Sequence, residues 1–164
     1  MATSALEFQL MHVVTGLTQS PLTLICVRGM RGSSLVHMAM RLLKHGVGST
    51  AEDQASGRTD RLGLLSHEDT DHFARLLRNV EGLIDKRDSV AHSMWLTVSD
   101  DGTHRGVRMR ANPEQSEWTM EGLRELRQQI VNATHDLFVE SWNATSMQSG
   151  MERMERRGSM DVVG

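Results

Sequence analysis

Residues 66–95 read SHEDTDHFARLLRNVEGLIDKRDSVAHSMW. Phe73, Leu76, Leu77, Val80, Leu83 and Ile84 recur at intervals of three and four, which sets them in one stripe along a helix. Glu68 and Asp69 stand in its first turn, where acidic side chains complement the helix dipole. The spacing therefore predicts a helix that opens at Ser66 and runs straight into Arg87. After Trp95 the apolar pattern changes from helical to alternating, so the same run also marks where the helix gives way to strand.

Working outward, Ser4-Ala-Leu-Glu7 has capping-box spacing, and Leu6, Leu10, Val13, Val14 and Leu17 predict a helix from about Ala5 to Leu17. Ser20-Pro21, followed by Leu22, Leu24, Ile25 and Val27 before Gly29, fits a short helix or a buried strand, and its length does not choose between them. Ser33 or Ser34 opens another helix through Leu35, Val36, Ala39, Leu42 and Leu43, closed by Gly46. Residues 47–63 are rich in Gly, Ser, Thr and Asp without apolar period and read as a long loop, mobile or functional. Trp95-Leu-Thr-Val-Ser, then Asp100-Asp101-Gly102, then Val107-Arg-Met-Arg-Ala predict a β-hairpin at about 94–111. Thr119 suits the N-cap of a last helix, on which Leu123, Leu126, Ile130, Ala133 and Leu137 step like a coiled-coil seam. Beyond Trp142 the core pattern stops, so residues 143–164 are expected to form a flexible tail, with Arg153, Arg156 and Arg157 among Glu152 and Glu155 as a solvated charged segment. The expected architecture is all-α: one domain over residues 1–142, a bundle of about four to five helices with a small β-hairpin insertion before the last.

A chain of 164 residues suits a single core. Its net charge of -3 and pI near 6.2 give no global positive field, so any contact with nucleic acid must come from a local patch. Cys26 is the single cysteine and lies in an apolar run, which rules out an intrachain disulfide and suggests a buried structural thiol in a reducing compartment. With no basic-then-apolar leader and no apolar run of about 18 residues, neither secretion nor membrane spanning is expected, and the expected location is the cytoplasm. The sequons at Asn132 and Asn143 then carry little weight. Twelve methionines against three phenylalanines and no tyrosine point to an adaptable core and interface. There is no Gly-rich phosphate loop, nucleophile elbow or Walker-type lysine, which disfavours nucleotide-dependent enzymes. His67, Glu68, Asp69, Asp71 and His72 resemble a metal cluster in composition. His67 and His72 are five apart, however, whereas helical ligands align at three or four, so a solvated helix start is the better reading.

Arg87, Asp88 and His92 close the central helix. With 16 arginines and 8 histidines in the chain, about one Arg-x4-His pair is expected by chance, so spacing alone says little. Context adds more: a carboxylate directly after the arginine, an apolar helix leading in, and Trp95 three residues past the histidine. Asp88 and His92, four apart, share a helix face and could hydrogen-bond. Arg87 and His92 would lie roughly 140° apart on an ideal helix, so only a helix break or a second chain across a twofold axis would aim both at one target. The plainer alternative is that Arg87 serves the helix C-terminus and pairs with Asp88 while His92 sits on the surface.

Arg87-Asp88-Ser89-Val90-Ala91-His92 resembles the Arg-polar-x3-His motif of HEPN domains, and with Trp95 it is similar to an Arg-Asn-x3-His-x2-Trp signature of bacterial helical proteins, with Asp88 in place of asparagine. The resemblance spans roughly Ser4 to Trp142, with the hairpin as an addition to the minimal bundle. It implies a homodimeric, metal-independent endoribonuclease without cofactors, as in toxin–antitoxin or phage-defence systems, with RNA as substrate and an antitoxin or other protein as possible partner. His92 would then be general base or acid, Arg87 would stabilise phosphoryl charge, and Asp88 would position His92 or neighbouring groups. Arg108 and Arg110 alternate with Val107 and Met109, with His104 and Arg105 near the hairpin turn, and could hold an RNA backbone beside His92. Charges protecting an exposed edge strand explain the same residues. From another functional class, the alternative is a catalytically silent helical module that binds a protein or RNA partner.

Overall fold

The computed structural model describes residues 5–18, 20–46, 67–98, 103–108, 114–149 and 152–156. Within them lie α1 Ala5–Thr18, α2 Leu22–Val27, α3 Gly32–Gly46, α4 His67–Ala91, β1 Ser93–Val98, β2 His104–Arg108, β3 Glu114–Trp118 and α5 Met120–Ser149. The fold is helical, with a small antiparallel sheet inserted before the last helix, as the periodicity predicts. The proposed loop 47–63, the caps Ser4 and Ser66 and the Asp100–Gly102 turn fall outside the described residues.

The helices α1, α3, α4 and α5 close a ring, each packed on the next, and α2 lies on α1. This follows from their stripes. Leu6, Leu10 and Val14 of α1, Leu35 and Val36 of α3, Phe73, Leu77, Val80 and Ile84 of α4, and Leu126, Ala133 and Leu137 of α5 form one buried cluster. Each large aliphatic side chain removed from water there contributes roughly 1.5–3 kcal/mol, which is what four amphipathic helices gain by facing inward. Thr119 caps α5 as expected: the Gly122 N–H donates to Thr119 Oγ1 at 3.0 Å.

The ambiguous segment after Ser20 is helical. Pro21 supplies helical dihedrals, φ -61° and ψ -23°, and the N–H groups of Thr23 and Leu24 bond back to the carbonyls of Ser20 and Pro21. Gly29, at φ 85°, then turns the chain, in a conformation open to glycine without strain. Of the six residues in α2 only Val27 is buried, so Leu22, Ile25 and Cys26 face outward. That corrects the expectation of a buried thiol: one short surface helix has a single inward position.

The predicted hairpin is β1 with β2, paired from Ser93↔Arg108 to Val98↔His104, with a register shift between Trp95 and Thr97. A third strand, β3, pairs with β2 from His104↔Trp118 to Arg108↔Glu114. Its sequence, EQSEW, has no alternating apolar signal; it is held by the free edge of β2 and by Trp118, which packs against the core together with Val90. Within the expected tail, residues 150, 151 and 157–164 lie outside the described residues. The helix continues past Trp142 to Ser149, and residues 152–156 run back against it. The physical reason is polar: the contacts past Trp142 are made by Asn143 and by arginines, which an apolar period does not register.

Candidate functional site

Arg87 sits three residues after the buried Ile84, at the position where the stripe of α4 meets the start of α1. Its Nη2 reaches Glu7 Oε1 at 3.0 Å and Asp88 Oδ1 at 2.7 Å, and its Nε donates to the same Asp88 oxygen at 3.1 Å. Burial pulls the guanidinium pKa down, but the hydrogen bonds to Asp88 and Glu7, with their negative charges, outweigh it and hold it above the ordinary arginine range. The group stays cationic and ties α4 to α1.

No break separates Arg87 from His92. The helix is continuous to Ala91, and the His92 N–H donates to the Asp88 carbonyl at 3.0 Å. Within one chain the two side chains therefore leave the helix on different sides. Asp88 is taken by Arg87 and does not receive the expected bond from the His92 ring, which is exposed at the helix end with no side-chain partner among the described residues. Ser93 follows at once, its hydroxyl donating to the Ser89 carbonyl, so strand β1 is anchored to the last turn of α4.

The sheet cations divide. Arg108 closes β2 with its Cα opposite that of Ser93, which brings the end of β2 beside His92. Arg105 points to the other face from His104, because neighbours on a strand alternate, and its Nε pairs with the cross-strand Glu117 at 2.9 Å. The His104 ring instead meets Trp95 edge-on, centroids 6.3 Å apart. Arg110 lies outside the described residues. His104 and Arg105 thus lie on opposite faces of β2.

A second polar cluster lies at the other end of α4 and was not foreseen. Asp69 and Glu140 are buried, and Arg156 from the returning segment forks across Glu140, Nε to Oε1 at 2.6 Å and Nη2 to Oε2 at 3.0 Å, while Nη2 also reaches Asp69 at 2.6 Å. Arg153 bonds Asp69 at 2.9 Å, and His72 Nε2 lies 3.3 Å from Glu140. The hydrogen bonds to Glu140 and then Asp69, with their charge, outweigh desolvation and raise the Arg156 pKa beyond the ordinary arginine range. A signal was present. Glu140 falls on the same three-and-four steps as Leu126, Ile130, Ala133, Leu137 and Ala144, and Asp69 lies one turn before Phe73, so each puts a carboxylate on an apolar stripe.

An apolar groove of about 530 Å³ runs between α1 and α5, lined by Phe8, His12, Pro21, Phe138 and Trp142 among others. Phe8 and Phe138 are each about half exposed. Among the described residues no helix is long and apolar enough to cross a membrane, and no three His, Cys, Asp or Glu side chains are grouped to hold a metal ion. Compared with known protein families, with curated proteins and with solved structures, the chain matches none.

Proposed function

We propose that the chain is a HEPN-like module that acts as a homodimeric, metal-independent endoribonuclease, of the kind found in toxin or phage-defence systems. The observation that carries the reading is the setting of His92: an exposed ring with no side-chain partner among the described residues, one turn beyond an anchored arginine and beside the Arg108 end of β2. A continuous helix sends Arg87 and His92 to different sides, so the active cleft takes one residue from each of two copies. In the reaction the 2′-oxygen attacks phosphorus and the bond to the 5′-oxygen breaks. His92 takes the 2′-hydroxyl proton or returns one to the leaving oxygen, and Arg87 offsets the phosphoryl charge. Asp88 is a positioning residue, since its carboxylate sets the angle of the guanidinium. The test is incubation of purified protein with single-stranded RNA and EDTA, beside His92→Ala and Arg87→Lys. Cleavage by the wild type, abolished in His92→Ala and reduced in Arg87→Lys, is expected. Intact RNA, or equal cutting by His92→Ala, removes the proposal.

A second reading, a helical module that binds a protein partner such as an antitoxin, is favoured by the groove between α1 and α5. There the Phe138 and Trp142 rings lie 6.5 Å apart, tilted to each other, and Phe8 meets His12 edge-on at 4.5 Å, with Phe8 and Phe138 about half exposed. Protein that leaves RNA intact, yet forms a larger particle that Phe138→Asp reduces in mass by light scattering without loss of fold, would favour this reading over the first.

A further inference from the structure

The segment Glu152–Arg156 is held the way one chain holds another. The buried Asn143 side chain grips a single residue of it at both polar groups: Oδ1 accepts from the Met154 N–H at 2.7 Å and Nδ2 donates to the Met154 carbonyl at 3.1 Å. Trp142 Nε1 donates to the Glu152 carbonyl at 3.3 Å. These bonds read backbone, and they ask for a peptide that presents the N–H and carbonyl of one residue to Asn143. Specificity comes from the arginines on either side, Arg153 on Asp69 and Arg156 across Glu140 and Asp69.

The two sides of this contact are built differently. On the α4–α5 side Asp69, Glu140 and Asn143 are all buried. On the segment side Glu152, Arg153, Met154 and Glu155 are exposed, and Met154 retains 37% of its surface. The segment therefore adds little to the apolar core and is held by polar contacts that a competitor can match. Two buried carboxylates sharing one guanidinium repel each other when it leaves, so the site selects an occupant that brings forked cations. An acidic pair alone would not define a ligand. Here a peptide is seated in it, and a separate side chain, Asn143, recognises that peptide's backbone.

We propose that Asp69, Glu140, Trp142 and Asn143 form a receptor for Arg-x-x-Arg peptides of partner proteins, and that the chain's own residues 152–156 occupy it as a displaceable internal ligand. The partner is defined by two arginines three positions apart that both reach Asp69; lysine carries the charge without the fork and fits poorly. Because the internal ligand is tethered, an outside peptide competes against a high effective concentration and binds the resting chain weakly.

The probe is a fluorescein-labelled peptide with the sequence of residues 152–157, measured by anisotropy against the full chain. Arg153→Ala/Arg156→Ala empties the receptor, and this variant should bind the peptide at least about tenfold more tightly than wild type. Adding Glu140→Gln or Asn143→Ala should return binding to the wild-type level, and a peptide with lysine at both arginine positions should bind about tenfold more weakly. Should the double variant fail to fold by circular dichroism, a full chain with a Gly-Ser insertion between Ser149 and Glu152 decides. It keeps every contact residue but dilutes the tether, and should bind the peptide several-fold better than wild type. A folded double variant, or failing that a lengthened chain, that binds no better than wild type overturns the proposal. So does binding that survives Glu140→Gln and Asn143→Ala together. The readout involves no RNA, so failure here and failure of the nuclease reading are distinguishable.

Discussion

Replacing Glu7 by Gln and Arg87 by Met, singly and together, separates a structural from a purely chemical role for the arginine. At 3.0 Å the Arg87–Glu7 attraction is of order 5 kcal/mol at an effective permittivity near 20, before desolvation. The side chains are 28% and 20% exposed, so lost hydration offsets most of it and a net of about 1 kcal/mol remains. Glu7→Gln leaves the guanidinium on Asp88 and should cost about 1 kcal/mol. Arg87→Met removes the cation from two half-buried carboxylates at once and should cost about 2–3 kcal/mol, a fall in Tm of roughly 5–10 °C for a chain of this length. The double variant should reveal a coupling of about 1 kcal/mol by urea unfolding followed with far-UV circular dichroism. On the arginine side the contribution does not depend on pH in the ordinary range. A guanidinium held above the ordinary arginine range stabilises the fold at every pH below that range and loses this contribution only in strong alkali. Coupling below about 0.3 kcal/mol, or an Arg87→Met no worse than Glu7→Gln, would show that the pair does not tie α4 to α1.

Leu137→Ala, at a fully buried position of α5, should cost about 2–5 kcal/mol by calorimetry or urea titration, since the ring of helices cannot collapse around the gap. Gly106→Ala should cost about 1–3 kcal/mol and speed amide exchange in the sheet, while the helical circular-dichroism signal remains. The new Cβ would stand 2.8 Å from that of Ser93, which is fixed through its bond to Ser89. Cys26 should react with a thiol reagent such as a nitrobenzoate disulfide in the native protein at the rate of an exposed cysteine; reaction only after unfolding would show α2 to be packed inward.

Periodicity was sufficient for what apolar burial decides. The stripes of α1, α3, α4 and α5 and the cap at Thr119 are the observed elements because four one-sided helices bury their stripes by packing in a ring. It was insufficient where an element is held by its neighbours. EQSEW pairs because β2 offers an edge, and the returning segment is held at Glu140, Trp142 and Asn143 by polar contacts that an apolar period does not mark. Cys26 faces outward for a related reason, since an apolar run six residues long need not be an inward one.

The site was half legible, and the half that was missed follows from a rule the sequence could have supplied. Continuing the stripe of α4 by threes and fours from Phe73, Leu77, Val80 and Ile84 arrives at Asp69 on one side and Arg87 on the other. Continuing that of α5 from Leu137 arrives at Glu140. A charge on an apolar stripe costs several kcal/mol unless it is paired, so each of these positions demands a partner from outside its own helix. Arg87 finds Glu7 of α1; Asp69 and Glu140 find arginines beyond the last helix. His92 lies off that stripe and is exposed, which is what a group that must meet solvent, substrate or a second chain requires. The two kinds of polar residue therefore call for opposite tests. Substitution of the stripe charges should register first in stability, whereas His92→Ala should leave stability within about 0.5 kcal/mol, so that under the proposed function its effect is read in RNA cleavage alone.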